Sequence, residues 1–309
     1  MPGVTLTLTG DAGGSTLSDG SGNYAFSSLP SGGNYTVMPA MPALAPGSAG
    51  IDTVDVIATQ RHFLNLGTPL SGCRLAAADV NGDTLVSTAD VVAIQRFVLS
   101  MSTGIADTGQ YQFSPVNRSY PAVVSDQTAQ NYDALVFGDV ASGFVNRPEG
   151  GSDMRSGEVA ATVAAVTLPD VAVALSKSNF IAAVKASEID AKSRLVGFQG
   201  DFTFDERVVT FQSEPVQKGG LTGGNWNVSG NVLPGTGPTK TLRVSAFSND
   251  FAPLAGSGTL FELKMTRVSS TAGASTQLVW SAPPNQFIFI DADLKTQTPG
   301  NVTPSGKRK

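Results

Sequence analysis

One twelve-residue pattern of this chain recurs thirty-five positions later. Thr53-Val54-Asp55-Val56-Ile57-Ala58-Thr59-Gln60-Arg61-His62-Phe63-Leu64 returns as Thr88-Ala89-Asp90-Val91-Val92-Ala93-Ile94-Gln95-Arg96-Phe97-Val98-Leu99, with seven of the twelve positions identical. Val91, Ile94 and Val98 fall on one face of a helix. Ser87 or Thr88 suits its start, and Asp90 suits the positive first turn. A duplicated helix therefore has to be placed inside a chain whose other segments read as strands.

Immediately before the second helix runs Asp79-Val80-Asn81-Gly82-Asp83-Thr84-Leu85-Val86-Ser87-Thr88-Ala89-Asp90. Side-chain oxygens stand at positions 1, 3, 5, 9 and 12 of this loop, and Leu85 offers its carbonyl at position 7. That is the ligand order of a twelve-residue calcium loop, because a hard cation of this size takes six or more oxygens in a flexible shell. The expected ligands of one Ca2+ are Asp79, Asn81, Asp83, the Leu85 carbonyl, Ser87 and Asp90. Magnesium fits less well, since it demands tight octahedral geometry. Two departures stand out. Thr84 occupies a position that usually needs glycine for positive φ, and Asp90 replaces the usual glutamate. The equivalent first loop, residues 44–55, keeps only Asp52 and Asp55, with Leu44 and Pro46 in place of ligands, and is expected to stay empty.

Composition narrows the field further. Charged residues are 15% of the chain, and 34 Gly and 18 Pro favour short strands and many turns over a helical protein. The net charge of −5, with no basic run beyond Lys307-Arg308-Lys309, argues against nucleic acid. No apolar stretch is long enough to span a membrane. Cys73 is the only cysteine and His62 the only histidine. Cys73 reads as a small buried residue and excludes a disulfide framework. His62 reads as structural, since Phe97 stands at its place in the second repeat. Asp205 and Glu206 read as turn residues, not a convergent carboxylate pair. No catalytic set emerges, and the chain reads as a non-enzyme.

A duplicated loop and helix without an entering helix resembles the dockerin family, type I in particular. That resemblance implies a cohesin partner, touched through Thr88, Ala89, Gln95 and Arg96 and, in the first repeat, Thr53, Val54, Gln60 and Arg61. Before it, Gly3-Val4-Thr5-Leu6-Thr7-Leu8, Asn23-Tyr24-Ala25-Phe26-Ser27 and Asn34-Tyr35-Thr36-Val37 resemble strands of carboxypeptidase-regulatory-like and Cna-B-like modules. Tyr111 to Tyr120 and Asp126 to Tyr132 supply that module's second half. After it, Val196-Gly197-Phe198-Gln199-Gly200-Asp201-Phe202-Thr203-Phe204 and Leu254 to Met265 resemble a cohesin, a nine-stranded jelly roll.

The expected architecture is mainly β. Residues 1–43 and 110–138 form a small sandwich lacking a first strand, residues 44–105 an inserted helix pair, 139–167 a linker, 168–296 a second sandwich and 297–309 a tail. The expected function is non-catalytic extracellular or cell-surface assembly through calcium-dependent dockerin–cohesin-type recognition, within one chain or between chains, in the context of polysaccharide breakdown. We read the chain as a piece of a longer exported protein. Two other functions fit the same residues: a glycan-binding module using Trp226, Trp280 or Tyr120, and a purely structural spacer.

Overall fold

The computed structural model describes residues 1–141, 162–174, 178–283 and 285–300. Most of the expected linker and the basic end of the tail lie outside these residues.

In the first segment, β1 (Thr5–Gly10), β2 (Gly14–Leu17) and β3 (Gly33–Ala40) are joined by β5 (Arg118–Val123), in the antiparallel order β2-β1-β3-β5. Tyr35 faces Tyr120 and Val37 faces Arg118, so the halves before and after the helices share one sheet. Alternation decides which face is covered: Leu6, Leu8, Tyr35 and Val37 point to the buried side. β4 (Tyr111–Ser114) pairs with β6 (Asp133–Val136), and Phe113 and Tyr132 pack onto the same cluster. The expected strand Asn23–Ser27 does not form, because this segment lies beside no ladder.

Between these halves come α1 (Thr53–Phe63), α2 (Gly72–Ala78) and α3 (Thr88–Val98). The duplication extends to both helix ends. Asp52 with Asp55, and Ser87 with Asp90, each form a capping box. At the other end, Leu66 N–H bonds Arg61 carbonyl and Asn65 N–H bonds His62 carbonyl, while Met101 and Ser100 repeat the pattern on Arg96 and Phe97. Asn65 and Ser100 both take positive φ, at 54° and 57°, as the residue after such a helix end must. α2 corrects the reading that no helix enters the loop, since it runs directly into Asp79. It also corrects Cys73: only Ala77 and Ala78 of α2 are buried, and the cysteine is exposed. His62 is structural as read, its Nδ1 accepting from Leu70 N–H at 3.0 Å.

The last segment is a near-closed sandwich of β7 (Thr162–Thr167), β9 (Asn179–Ile189), β10 (Leu195–Asp205), β11 (Val209–Lys218), β12 (Trp226–Val232), β13 (Thr239–Ser248), β14 (Gly256–Arg267), β17 (Ile288–Asp291) and β18 (Thr296–Gly300). Short β8 (Val171–Ala172) and β15 (Ser275–Thr276) pair with each other, and β16 (Val279–Trp280) pairs with β10. The main order is β11-β14-β9-β7-β18-β17-β10-β13-β12, with the parallel pair β7–β18 joining two antiparallel halves. The module thus begins at β7 and ends at β18, wider than the expected 168–296. Phe198, Phe202, Phe261, Phe287 and Phe289 fill its interior. Asp205 and Glu206 sit where β10 ends, Asp205 binding Arg207, as turn residues should.

Candidate functional site

β10 reads as a strand with one wet face, yet Gly197 and Asp201 on that face are also buried. The cause is the helix pair, which lies across the outer face of the sheet formed by β12, β13, β10 and β17. One apolar cluster unites Ile51, Val54, Ile57, Val91, Ile94 and Phe97 with Val196, Phe247 and Ile290 of the sandwich. Val196 joins this outer cluster, although simple alternation assigns it inward with Phe198, because a bulge between Leu195 and Gly197 shifts the register.

Gly197 marks the closest approach. A Cβ there would collide with Ile57 Cδ1 and meet Ala246 carbonyl at 3.0 Å. Gly197→Val is expected to destabilise this contact by about 1–3 kcal/mol through overpacking, read as a lower denaturation midpoint of the full chain.

Polar bonds give the apolar contact its register. Thr53 N–H donates to Gln199 Oε1 at 2.7 Å, and its hydroxyl lies 2.8 Å from that of Ser245. Gln60 and Gln95, equivalent in the two repeats, both donate to the sheet: Gln60 to Asn249 carbonyl at 2.7 Å, Gln95 to Asn227 Oδ1 at 3.1 Å. Asn231 donates to Leu99 carbonyl at 2.8 Å. Arg243 pairs with Asp201 through two bonds of 2.8 and 2.9 Å. It spends its remaining nitrogen on the carbonyls of Gly47 and Val98, each at 3.1 Å. One guanidinium therefore ties strand to strand and both to the helical unit, with a bidentate geometry lysine cannot copy.

Of the eight expected partner-contacting residues, Thr53, Gln60 and Gln95 bond the sheet, and Val54 is buried in the shared cluster. Arg61 and Arg96 instead donate to Leu66 and Ser102 carbonyls beyond their own helices. Thr88 and Ala89 are exposed. The two repeats are thus not used alike: α1 is covered along most of its length, whereas α3 leaves Thr88, Ala89, Val92 and Arg96 outside.

The carboxylate loop is ordered by its own side chains. Asp79 accepts from the N–H groups of Asp83 and Thr84 at 3.2 and 2.9 Å, Asn81 from Asp83 N–H at 3.0 Å, and Asp83 from Leu85 N–H at 2.9 Å. These bonds draw Asp79, Asn81 and Asp83 around one loop interior. Thr84 adopts φ 73° despite its branched side chain, so the backbone takes the turn such a loop needs. Asp90 is fully buried and accepts four bonds: Val80 N–H, Asn81 N–H, Ser87 N–H and Ser87 hydroxyl.

Asp55 repeats this arrangement with a partner that sequence reasoning missed. Its Oδ1 accepts from Val140 and Ala141 N–H at 2.9 and 2.8 Å, as Asp90 Oδ1 does from Val80 and Asn81 at 3.0 and 3.3 Å. Asp139-Val140-Ala141 therefore stands where Asp79-Val80-Asn81 stands in the other repeat. Residues 139–141 belong to the helical unit, not to a linker. The shared Asp-Val pair, with both valines completely buried, was the available signal.

Trp226 stacks on Phe198 inside the sandwich and is 5% exposed, so it offers no platform for a sugar. Trp280 packs edge-on against Phe202.

No family model matches the chain, and no curated protein matches it. Solved structures similar to it are cohesin modules. The sixth cohesin of scaffoldin B from Acetivibrio cellulolyticus, solved with a Cel5 dockerin mutant, shares 16% identity at a TM-score of 0.35, covering 45% of this chain and 94% of its own. A type I cohesin–dockerin complex from Clostridium thermocellum gives 10% identity and a TM-score of 0.36, covering 45% and 93%. The cohesin module of a family 33 glycoside hydrolase from Clostridium perfringens gives 13% and 0.34, covering 45% and 90%.

Proposed function

We propose that this chain is a non-catalytic, extracellular assembly protein in which a dockerin-like, calcium-binding helix pair recognises the cohesin-like sandwich of its own chain. The observation that carries this reading is the seam itself. It combines a shared apolar cluster with hydrogen bonds from Thr53, Gln60 and Gln95, as a recognition surface does. Docking within one chain removes the translational cost of association. The pair then acts as a brace that sets the angle between the small sandwich and the large one. A second copy can satisfy the same surface when the connection opens, which gives exchange between chains.

Calcium belongs to this proposal through the loop Asp79–Asp90. Asp79, Asn81, Asp83 and the Leu85 carbonyl have the chemistry a hard cation takes, and Ser87 and Asp90 complete the set. The three side chains already gathered around the loop interior support the fit. Asp90, whose carboxylate accepts from Val80, Asn81 and Ser87, would supply the last carboxylate oxygen to the ion. The bound ion would stabilise the loop from which α3 starts, and so the seam.

The full chain tests both parts. Calorimetric titration should show one calcium site, lost in Asp79→Ala, and calcium should raise the unfolding temperature of the wild type only. Thr53→Asp should expose the seam to proteolysis, whereas Thr88→Asp, on the solvent side, should leave it closed. Absence of calcium binding removes the metal from the reading. Equal effects of the two threonine variants remove the recognition role of α1.

A further inference from the structure

The small N-terminal sandwich holds a groove that the seam does not use. It opens between residues 22–31 and residues 123–131, with a volume of about 820 Å³. That size falls within the range of ligand sites.

The lining is of two kinds. Tyr24, Phe26 and Tyr120, all half-buried, each leave part of a ring open, and Tyr24 stands edge-on to Phe26 with centroids 6.4 Å apart. Around the rings lie Ser27, Ser28, Ser125, Gln127, Thr128 and Asn131, all exposed. Asp126 is the one charged side chain among the described residues of the lining, so an anionic ligand has no cation to meet. A ligand that suits such walls is neutral, rich in hydroxyls and apolar on its faces.

The polar groups are unused. Among the described residues, the hydroxyls of Ser27, Ser28, Ser125 and Thr128 bond no other group of the chain, and neither do the N–H groups of residues 24–29 and 124–128. An apolar segment laid over the groove would strand each of these groups at a cost of about 1–3 kcal/mol. An added peptide strand fits no better. Ser28 at φ 58° and Ala129 at φ 56° turn both walls out of the extended conformation, so neither presents the continuous edge that strand addition needs. A sugar needs no such register, because every hydroxyl both donates and accepts.

The rings are held in place from behind. Tyr24 hydroxyl donates to Gln130 carbonyl at 2.6 Å, and Tyr120 bonds Gln130 Oε1 at 3.3 Å. Tyr132, with its ring 6.3 Å from that of Tyr24, donates to Val37 carbonyl at 2.8 Å, and burial pushes its hydroxyl up to about 12. A hydroxyl that donates keeps lone pairs to accept from a ligand. Rings fixed in advance also lower the ordering cost of binding.

We infer that this groove binds a neutral oligosaccharide, its sugar faces against Tyr24, Phe26 and Tyr120 and its hydroxyls on Ser27, Ser125, Thr128 and the open main-chain amides. The helix pair and its calcium loop take no part.

The test titrates the full chain with cellohexaose, xylohexaose and mannohexaose. Saturable binding of at least one is expected, with residues 24–29 and 124–131 gaining protection from hydrogen exchange. Ser125→Val combined with Thr128→Val, both at exposed positions, should weaken binding about tenfold through two lost hydrogen bonds and leave the unfolding temperature unchanged. Asp79→Ala should bind as the wild type does, which keeps this result separate from the calcium reading. The inference is overturned by no saturation with any of the three at millimolar concentration, by protection that appears elsewhere, or by unchanged affinity in the double variant. Tighter binding of an anionic oligogalacturonate overturns the neutral class. Protection of residues 24–29 by the capped peptide Val-Thr-Leu-Thr-Leu-Thr-Gly, in place of any sugar, overturns it in favour of a strand acceptor.

Discussion

Asp201→Ala is expected to lower the stability of the full chain by about 3–5 kcal/mol, because it leaves the Arg243 guanidinium buried without its counter-charge. The side chains of Arg243 and Asp201 are 15% and 5% exposed, so water cannot replace the lost carboxylate. The effect should be more than local. Arg243 also bonds Gly47 and Val98 carbonyls across the seam, so its displacement loosens the helical unit from the sandwich. Chemical denaturation of the single variants measures the total. The double variant Asp201→Ala with Arg243→Met should recover much of the loss, since an apolar replacement of both partners removes the orphaned charge. Failure of the double variant to recover would show that the pair's value lies in bonds to the helical unit.

Asp55→Ala should be nearly as damaging. Its carboxylate accepts from Asp52, Val140 and Ala141 N–H, and its removal orphans buried donors worth about 1–3 kcal/mol each. A loss of about 3 kcal/mol or more is expected, together with faster hydrogen exchange at Val140 and Ala141. The corresponding Asp90→Ala variant should free Val80 and Asn81 in the same way. On the proposed calcium site it should also abolish calcium binding, unlike Asp55→Ala.

What the sequence revealed follows the range of the interactions involved. The helix pair was legible because capping and amphipathic spacing act over a few residues, and the duplication showed the same solution twice. The self-bonded carboxylate loop was legible because its oxygen-bearing side chains lie within one short stretch. Strand texture placed the interior of the large sandwich, since Phe198, Phe202 and Phe204 alternate toward one core. Three things were hidden for one reason: each depends on contacts between distant segments. Gly197 and Asp201 read as solvent-facing until a helix from 140 positions earlier covers them. Val196 turns outward only through a bulge that needs β17 opposite. Asp139–Ala141 completes the first repeat from 85 residues downstream of Asp55, and local texture assigned it to a linker. The strand expected at Asn23–Ser27 shows the converse. Its side chains alternate correctly, but an edge becomes a strand only when a neighbour supplies the other half of the ladder.

The parallel pair β7–β18 has a mechanical consequence for the large sandwich. The sandwich begins with one of these strands and ends with the other, and they run side by side in the same direction. Tension along the chain acts on the start of β7 and the end of β18, which lie at opposite ends of the pair. The ladder is then sheared, with its hydrogen bonds strained together, instead of being peeled apart one at a time. Extension under such tension requires the bonds to fail in concert, so the module resists a steady pull far better than an antiparallel pair opened from its free end.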